Sequence, residues 1–456
     1  VSARGDLAGA SVLGAIFVGW VVVAELWRRL GSPPAEWTRK VVHLGGGITC
    51  LFFPFLVRSP WVVLAMSAAM SAVFAFAGKF GLLRSLHGVP RTTRGAEYYP
   101  LAIFLVFLFT RGQEWLYLSA VLVLAVGDAF AALVGSRYGV LRYEIEDAHK
   151  SVEGSLVFLV LAFLAIHLPL LLMTDLPRPV CVLAALLVAF LVTGFEAIAL
   201  GGSDNLWVPL GVVYLLGKVT TQPLGEVIFQ NLSLALICLG IAAMVRWIPL
   251  FNAGASIAIT LYAYGTWALG GWQWALPVFA GLVFHLIAWV SLRSPRSERR
   301  IKVRVVTYAL APLFGIVALA NALHEPRVIY GPYLGASGAV LSFALANHVF
   351  HQSSFFHGSS YGVWPRTAAI MTTTLLGCAA VVVPAWIVQE GVPARGPVAI
   401  ALLAFFACYL DMALEVRQSG RPPRHWTWGR AILTLVVAGG VLALQGVGVI
   451  PLWNPA

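Results

Sequence analysis

Asp128 stands in the stretch Gly127-Asp128-Ala129-Phe130-Ala131-Ala132-Leu133-Val134-Gly135-Ser136-Arg137-Tyr138-Gly139, an acid set deep in an apolar helix with small residues down one face. His149-Lys150-Ser151-Val152-Glu153-Gly154-Ser155 follows directly. A carboxylate at the centre of a membrane helix costs roughly 2.5–3.5 kcal/mol, so one that is kept there is a functional candidate. Asp128, Lys150 and Glu153 together read as a phosphate-and-metal site at a membrane surface. A lysine supplies a point charge for phosphate, and the N–H groups that open the following helix favour anions. Asp128 and Glu153 offer carboxylates to Mg²⁺, a hard cation usually held by one or two carboxylates plus substrate phosphates.

Each motif also has a structural reading. Asp128, Ala131, Gly135 and Gly139 fall at offsets 0, 3, 7 and 11 and share one helical face. Small residues so spaced let helices approach closely, which accounts for Gly135 and Gly139 but not for Asp128. Lys150-Ser151-x-Glu153-Gly154-Ser155 has the make-up of a helix cap with a snorkelling lysine.

Three further groups join the candidates. Arg39-Lys40-x-x-His43 opens the second apolar run. It reads either as topogenic charge with an interfacial histidine, or as phosphate and headgroup ligands with His43 one turn deeper. Glu196 precedes Ser203-Asp204-Asn205, with Gly201-Gly202 between them and Pro209 after. A helix broken at polar residues belongs where it lines a site, not against lipid, so Asp204 and Asn205 are placed to complete metal coordination or orient an acceptor hydroxyl. Glu97-Tyr98-Tyr99-Pro100, after Arg91 and Arg94, reads equally as an interfacial belt or a headgroup contact. His348, His351 and His357 lack an accompanying carboxylate or cysteine and read as an interfacial cluster rather than a metal site. Asp411 and Glu415, beside Arg417, receive no role.

The elements that must position these groups are membrane helices. The chain has 456 residues, 60% hydrophobic and 11% charged, with mean hydropathy +0.86. A soluble domain carries roughly 25% charged residues. Apolar runs long enough to span a bilayer recur throughout, and the alternating pattern of outer-membrane barrels does not. The expected fold is an all-α polytopic membrane protein of about 16 spans, plus or minus two. The spans fall near 7–27, 41–57, 60–78, 97–110, 115–135, 154–173, 180–200 and 206–217, then 228–245, 251–269, 273–292, 304–322, 333–350, 367–388, 397–415 and 430–450. The helix near 196–217 is short or broken. The first run lacks a basic start and a small-residue cleavage site, so it reads as a retained span. Two domains are expected, 1–222 carrying the chemistry and 223–456 of uncertain role.

In the first half, one set of loops carries eleven cations and the other five, which marks the richer side as cytoplasmic and both termini as outside. The basic loops around 293–304 and 417–424 agree. The loops 28–40, 79–96, 136–153 and 201–205 then face the cytoplasm, where nucleotides are. The net charge of +11 comes from these loops, where anionic headgroups explain it better than nucleic acid does. Cys50, Cys181, Cys238, Cys378 and Cys408 are scattered, with neither a disulfide framework nor a zinc pattern.

Arg39-Lys40-x-x-His43, Gly127-Asp128-x-x-Ala131-x-x-x-Gly135-x-x-x-Gly139, Lys150-Ser151-x-Glu153-Gly154-Ser155, and Glu196 followed by Ser203-Asp204-Asn205-x-x-x-Pro209 resemble, in that order, the polyprenol kinase family of membrane proteins over roughly residues 10–220. The family includes dolichol kinases, phytol kinases and a CTP-dependent diacylglycerol kinase. The resemblance implies transfer of a phosphate to a lipid alcohol, commonly from CTP with a divalent cation, ATP being the other donor. It places the nucleotide at the loop 136–155 and its flanking helices, hence near Gly135, Arg137, Gly139, Ser151, Gly154 and Ser155, with Arg39, Lys40, Glu196 and Asn205 beside it. The second motif pair is also similar to part of the CDP-diacylglycerol synthases, although their long C-terminal signature is not matched. The stretch 254–277 looks somewhat like the membrane family containing phytyl-phosphate kinase, without a polar signature to accompany it.

The expected mechanism is direct phosphoryl transfer at the cytoplasmic face, in a bacterial inner membrane. Asp128 and Glu153 hold Mg²⁺, Lys150 holds a phosphate, Arg39 and Lys40 neutralise charge, and Asp204 or His43 accepts the hydroxyl proton. The rivals are cytidylyl transfer and transport. Transporters usually carry paired repeats with matching broken helices, and the second half repeats neither Asp128-x-x-Ala131 nor Lys150-x-x-Glu153.

Overall fold

A computed structural model describes residues 3–80, 94–146, 148–292, 300–352, 363–389, 391–419, 428–453 and 455. It is helical nearly throughout, as the apolar runs require. Among the described residues, twelve helices are long and apolar enough to cross a membrane. Four more stand at the other predicted positions: Ala35–Cys50, Gly95–Phe109, Asp204–Val219 and Ala253–Gly270. Large apolar side chains lie exposed along these helices, among them Trp61, Leu172 and Ile387. In water such a surface would aggregate, whereas lipid covers it without cost. The chain is a multi-pass membrane protein.

The chain divides into two compact units, Val1–Leu234 and Ala235–Ala456. The division falls inside a helix, later than the expected boundary after residue 222. Each unit has its own interior.

In the first unit the elements run α1 (Ala3–Gly31), α2 (Ala35–Cys50), α3 (Phe53–Leu56), α4 (Pro60–Lys79), α5 (Gly95–Phe109), α6 (Glu114–Leu122), a π-helical turn at Val123–Gly127, α7 (Asp128–Tyr138), β1 (Arg142–Ile145), β2 (Ala148–Ser151), α8 (Val152–Met173), α9 (Arg178–Ile198) and α10 (Asp204–Val219). The predicted break is present. Gly201 and Gly202 take φ of 62° and 87° between α9 and α10, a region only glycine enters freely. Asp6 ties α1 to the start of α4 by accepting from the backbone N–H groups of Arg58 and Ser59, both at 3.0 Å.

The stretch expected as a loop after α7 is instead a β-hairpin. Arg142 pairs with Ser151 and Tyr143 with Lys150 in antiparallel register. The sequence there is polar and outside the apolar spans, so its backbone groups satisfy one another locally. Ser151 then caps α8, its Oγ accepting from Gly154 N at 3.1 Å.

The second unit holds α11 from residue 235 (the helix as a whole is Leu224–Trp247), α12 (Ala253–Gly270), α13 (Trp272–Leu292), α14 (Val303–Leu323), α15 (Pro326–Gln352), α16 (Val363–Val388), α17 (Arg395–Ser419) and α18 (Trp428–Gly446). Its interior is built on Trp274, Tyr330, Tyr333 and Trp453. The Tyr330 and Tyr333 hydroxyls donate to the Gln273 and Trp274 carbonyls at 2.9 and 2.7 Å. His357, Arg421 and Arg424 lie outside the described residues, as do Arg84 and Arg91 in the first unit. His348 is buried and its ring stands edge-on to His285, centroids 5.7 Å apart. That placement is in the interior, not at the interface expected for it.

Candidate active site

Close approach of α2 to the helix that carries Asp128 builds the site. α2 contains Gly45-Gly46-Gly47, and each glycine is used for contact. A Cβ at Gly47 would stand 2.2 Å from Ala125 Cβ and 2.7 Å from Tyr99 Oη, and one at Gly46 would stand 2.5 Å from the Phe17 ring. Gly45 and Gly46 admit the Trp20 and Phe17 rings of α1, and Gly47 lets α2 lie against the π-helical turn, one helical turn from His43 and about two from Lys40.

The π turn ends at Asp128. A π segment shifts hydrogen bonding by one residue and often marks a functional site. Here the Leu124 carbonyl meets His43 Nε2 at 2.9 Å, and the same nitrogen stands 3.1 Å from Asp128 Oδ2. Both neighbours of Nε2 are acceptors, so Nε2 carries the hydrogen and Nδ1 presents its lone pair. Tyr99 packs edge-on to the His43 ring, centroids 4.7 Å apart. Lys40 Nζ donates to Asp128 Oδ2 at 2.5 Å. Lys40 is 3% exposed, so it serves the buried carboxylate, not a headgroup.

A second ion pair lies on the other side of the site. The hairpin carries Lys150 to the end of α9, where its ammonium donates to Glu196 Oε1 at 2.6 Å and to the Glu196 carbonyl. Burial works against the Lys150 charge, but the Glu196 carboxylate, with Asp204 adding to it, outweighs burial and holds the ammonium above its ordinary range. Arg39 bonds Glu36 at 2.5 Å, feels the charges of Asp128 and Asp204, and keeps a buried Nε–H with no partner. Glu196 in turn feels Asp204 and Asp128. Three cations (Arg39, Lys40, Lys150) and three carboxylates (Asp128, Glu196, Asp204) thus form one balanced cluster, with Glu36 on its rim. The side chain of Asp204 pairs with no cation among the described residues, and Asn205, 7% exposed, has a buried Oδ1 without a partner.

Glu153 is not brought to Asp128. Its Oε1 accepts from the Val140 and Leu141 N–H groups, both at 3.0 Å, at the far end of α7 from Asp128. The helix rise between Asp128 and Tyr138 is about 15 Å, and a magnesium ion needs its oxygens at about 2.1 Å. One ion therefore cannot take both carboxylates, and the expected Asp128–Glu153 pair does not fit a single metal. Asp204, unpaired with a cation, and Asn205, with its unpartnered Oδ1, carry the cluster's uncommitted oxygens, and among the described residues no group of three or more His, Cys, Asp or Glu is arranged to hold a metal ion.

The glycines of the motif serve packing. A Cβ at Gly135 would lie 2.9 Å from Ser151 Oγ, one at Gly154 would lie 3.0 Å from the Ala131 carbonyl, and one at Gly139 would lie 2.3 Å from the Gly135 carbonyl. They let α7, α8 and the hairpin end meet. Ser155 Oγ bonds the Tyr143 hydroxyl at 2.7 Å, and Arg137 is exposed over the Tyr138 ring. Sequence reasoning missed Glu36, Gly47 and the π turn, and it read Tyr99 as an interfacial or headgroup contact where the structure buries it against His43. Only Gly45-Gly46-Gly47 carried a readable signal, a run of small residues beside a candidate motif.

No family model matches the chain, and no solved structure matches it. The phytol kinase of Synechocystis sp. is 38% identical to it over 204 residues, which are 44% of this chain and 86% of that protein. More than half of the chain therefore has no counterpart in that relative. Identity at this level over nearly the whole relative is more than a shared composition of apolar helices produces, and the chain belongs to the polyprenol kinase family.

Proposed function

We propose that the first unit transfers the terminal phosphate of a nucleoside triphosphate to the hydroxyl of a prenol-type lipid alcohol at the cytoplasmic face of the membrane. The observation that carries this reading is the cluster of three cations and three carboxylates around His43, set in an apolar bundle. Phosphoryl transfer asks mainly for positioning and charge stabilisation, and such a cluster is rigid and already charged before substrate arrives. The similarity to a phytol kinase favours a prenol-type alcohol as acceptor and makes phytol the first to test. CTP is the donor the motif resemblance favours, with ATP as the other.

The alcohol enters from the leaflet with its hydroxyl toward His43. Nδ1 of His43 accepts the hydroxyl proton while Nε2–H stays bonded to Asp128 and the Leu124 carbonyl. The alcohol oxygen forms its bond to the γ-phosphorus as the bond from that phosphorus to the β,γ-bridging oxygen breaks, and the nucleoside diphosphate leaves. The unpartnered Nε–H of Arg39 takes a phosphate oxygen. Lys40 holds Asp128 in place and Lys150 holds Glu196, so each carboxylate faces the site at a fixed angle. Asp204 and Asn205 would hold Mg²⁺, which when bound neutralises phosphate charge. Asp204 is the alternative proton acceptor.

The test is label transfer from γ-labelled CTP, with ATP in parallel, to phytol, polyprenol, dolichol and diacylglycerol, using the full chain and Mg²⁺. A labelled lipid monophosphate, absent with Asp128→Asn, is the expected result. Pyrophosphate release with phosphatidic acid and no labelled lipid would replace the kinase reading with cytidylyl transfer.

A further inference from the structure

The second unit contains a cavity of about 840 Å³ between α11, α12, α13 and α14. That lies within the roughly 300–1,000 Å³ of small-molecule sites. Its walls are mostly apolar side chains such as Met244, Leu282 and Leu313, with the hydroxyl groups of Tyr262, Thr266 and Ser337 among them, and among the described residues no Asp, Glu, Lys or Arg lines it. One strongly polar ring does. His285 lines the cavity, is 6% exposed, and has a buried Nδ1 without a hydrogen-bond partner. A buried polar atom left unpaired is costly, so its presence in a mostly apolar wall points to a ligand that supplies the missing bond.

We infer that this cavity is a binding site for an uncharged lipid alcohol, with the chain along the apolar walls and the hydroxyl on His285 Nδ1. A hydroxyl both donates and accepts, so it satisfies Nδ1 in either tautomer of a neutral imidazole. An alkane leaves Nδ1 unpaired. A lipid phosphate would bury its charge where no cation lines the wall, at a cost far above that of one hydrogen bond. The site therefore selects the alcohol over both. This goes beyond the kinase reading and stands without it, because the residues belong to the second unit and none is in the cluster around Asp128.

The experiment uses the full chain in nanodiscs without nucleotide. A diazirine-bearing hexadecanol, the matching alkane and the matching alkyl monophosphate are photolysed in parallel, and labelled peptides are mapped by mass spectrometry. The alcohol is expected to label α12 and α13 over the other two probes, by roughly two- to tenfold, the reach of one hydrogen bond. His285→Leu should remove that preference. Ala263→Phe, which puts bulk into the cavity while keeping His285, should remove labelling by all three. Equal labelling by alcohol and alkane in the unaltered protein would overturn the inference and mark the cavity as a place for bulk lipid. Preference for the monophosphate would overturn it as well. The probe comparison in the unaltered chain decides even where a variant fails to fold. Asp128→Asn, run alongside, should keep the labelling whatever its effect on phosphate transfer, so failure of one reading is distinct from failure of the other.

Discussion

Lys40 holds Asp128 at two points, donating to its carboxylate at 2.5 Å and to its main-chain carbonyl at 3.2 Å. The pair spans 88 residues of sequence and fixes α2 to the start of α7. Removing one partner of a buried ion pair strands the other charge and costs roughly 3–5 kcal/mol, whereas removing both can be nearly neutral. Lys40→Met and Asp128→Asn should therefore each lower the thermal midpoint, and the double variant should recover most of that loss. Transfer should not recover, since Asp128 orients the His43 ring. A drop of about 100-fold or more is expected in all three proteins. Thermal unfolding and label transfer on the same preparations check this, and a double variant no more stable than the singles would show that the two charges are not mutually compensating.

Gly47 supports a steric prediction. Its missing Cβ leaves room for Ala125 in the π turn, and crowding a packed contact costs typically about 1–3 kcal/mol. Gly47→Ala should lower stability by that order and reduce transfer by displacing Lys40 and His43 from Asp128. Ala125→Gly in the same chain should restore a large part of both. Rescue measured in stability and rate together identifies the contact. Stability restored without rate would place the catalytic fault elsewhere.

Much of this site was legible in the sequence because charge in an apolar chain is conspicuous. Arg39, Lys40, His43, Asp128, Lys150, Glu196 and Asp204 all stood out, and the glycine break between α9 and α10 followed from Gly201-Gly202. Which charges pair was not legible. The Asp128–Lys40 and Lys150–Glu196 contacts join segments far apart in sequence, and spacing along a helix cannot report them. Spacing instead suggested Asp128 with Glu153, close in sequence but separated by the length of α7. The π turn has no composition of its own, since Val123–Gly127 reads like any apolar helix. The hairpin at 142–151 was hidden because its polar residues fit a loop equally well.

Lys150 gives a pH prediction. Glu196 holds its ammonium above the ordinary lysine range, so the stability it contributes is complete below the unfolded-state value of about 10.4 and is lost only as pH rises through the higher folded-state value. With Glu196→Gln the opposing effect of burial is left largely uncompensated. Lys150 should then shed its proton earlier in the folded protein than in the unfolded one, so its buried charge costs stability at lower pH and that cost is relieved as pH rises. Thermal midpoints from about pH 8 to 11 should therefore draw together as pH rises, the unaltered protein losing this contribution while Glu196→Gln is relieved of its buried charge. Lys150→Gln combined with Glu196→Gln should remove the gain that Glu196→Gln shows as pH rises. An identical profile with and without Glu196 would show that this carboxylate does not govern the lysine.

Asn205 separates function from stability. Its Oδ1 is buried and unpartnered at the start of α10, and an unsatisfied buried acceptor costs roughly 1–3 kcal/mol. A residue kept for the fold alone would not retain that cost. Asn205→Leu keeps the branched shape and the number of side-chain heavy atoms and removes the unpaired oxygen, so it should leave the thermal midpoint unchanged or raise it where its extra bulk is accommodated. If Oδ1 serves the metal–phosphate side of the cluster, the same change should raise the KM for nucleotide or the Mg²⁺ concentration needed for half-maximal rate by about tenfold. Asn205→Asp, which keeps an oxygen donor, should lose less. Wild-type kinetics in Asn205→Leu would remove Asn205 from the site and leave its buried oxygen a matter of packing.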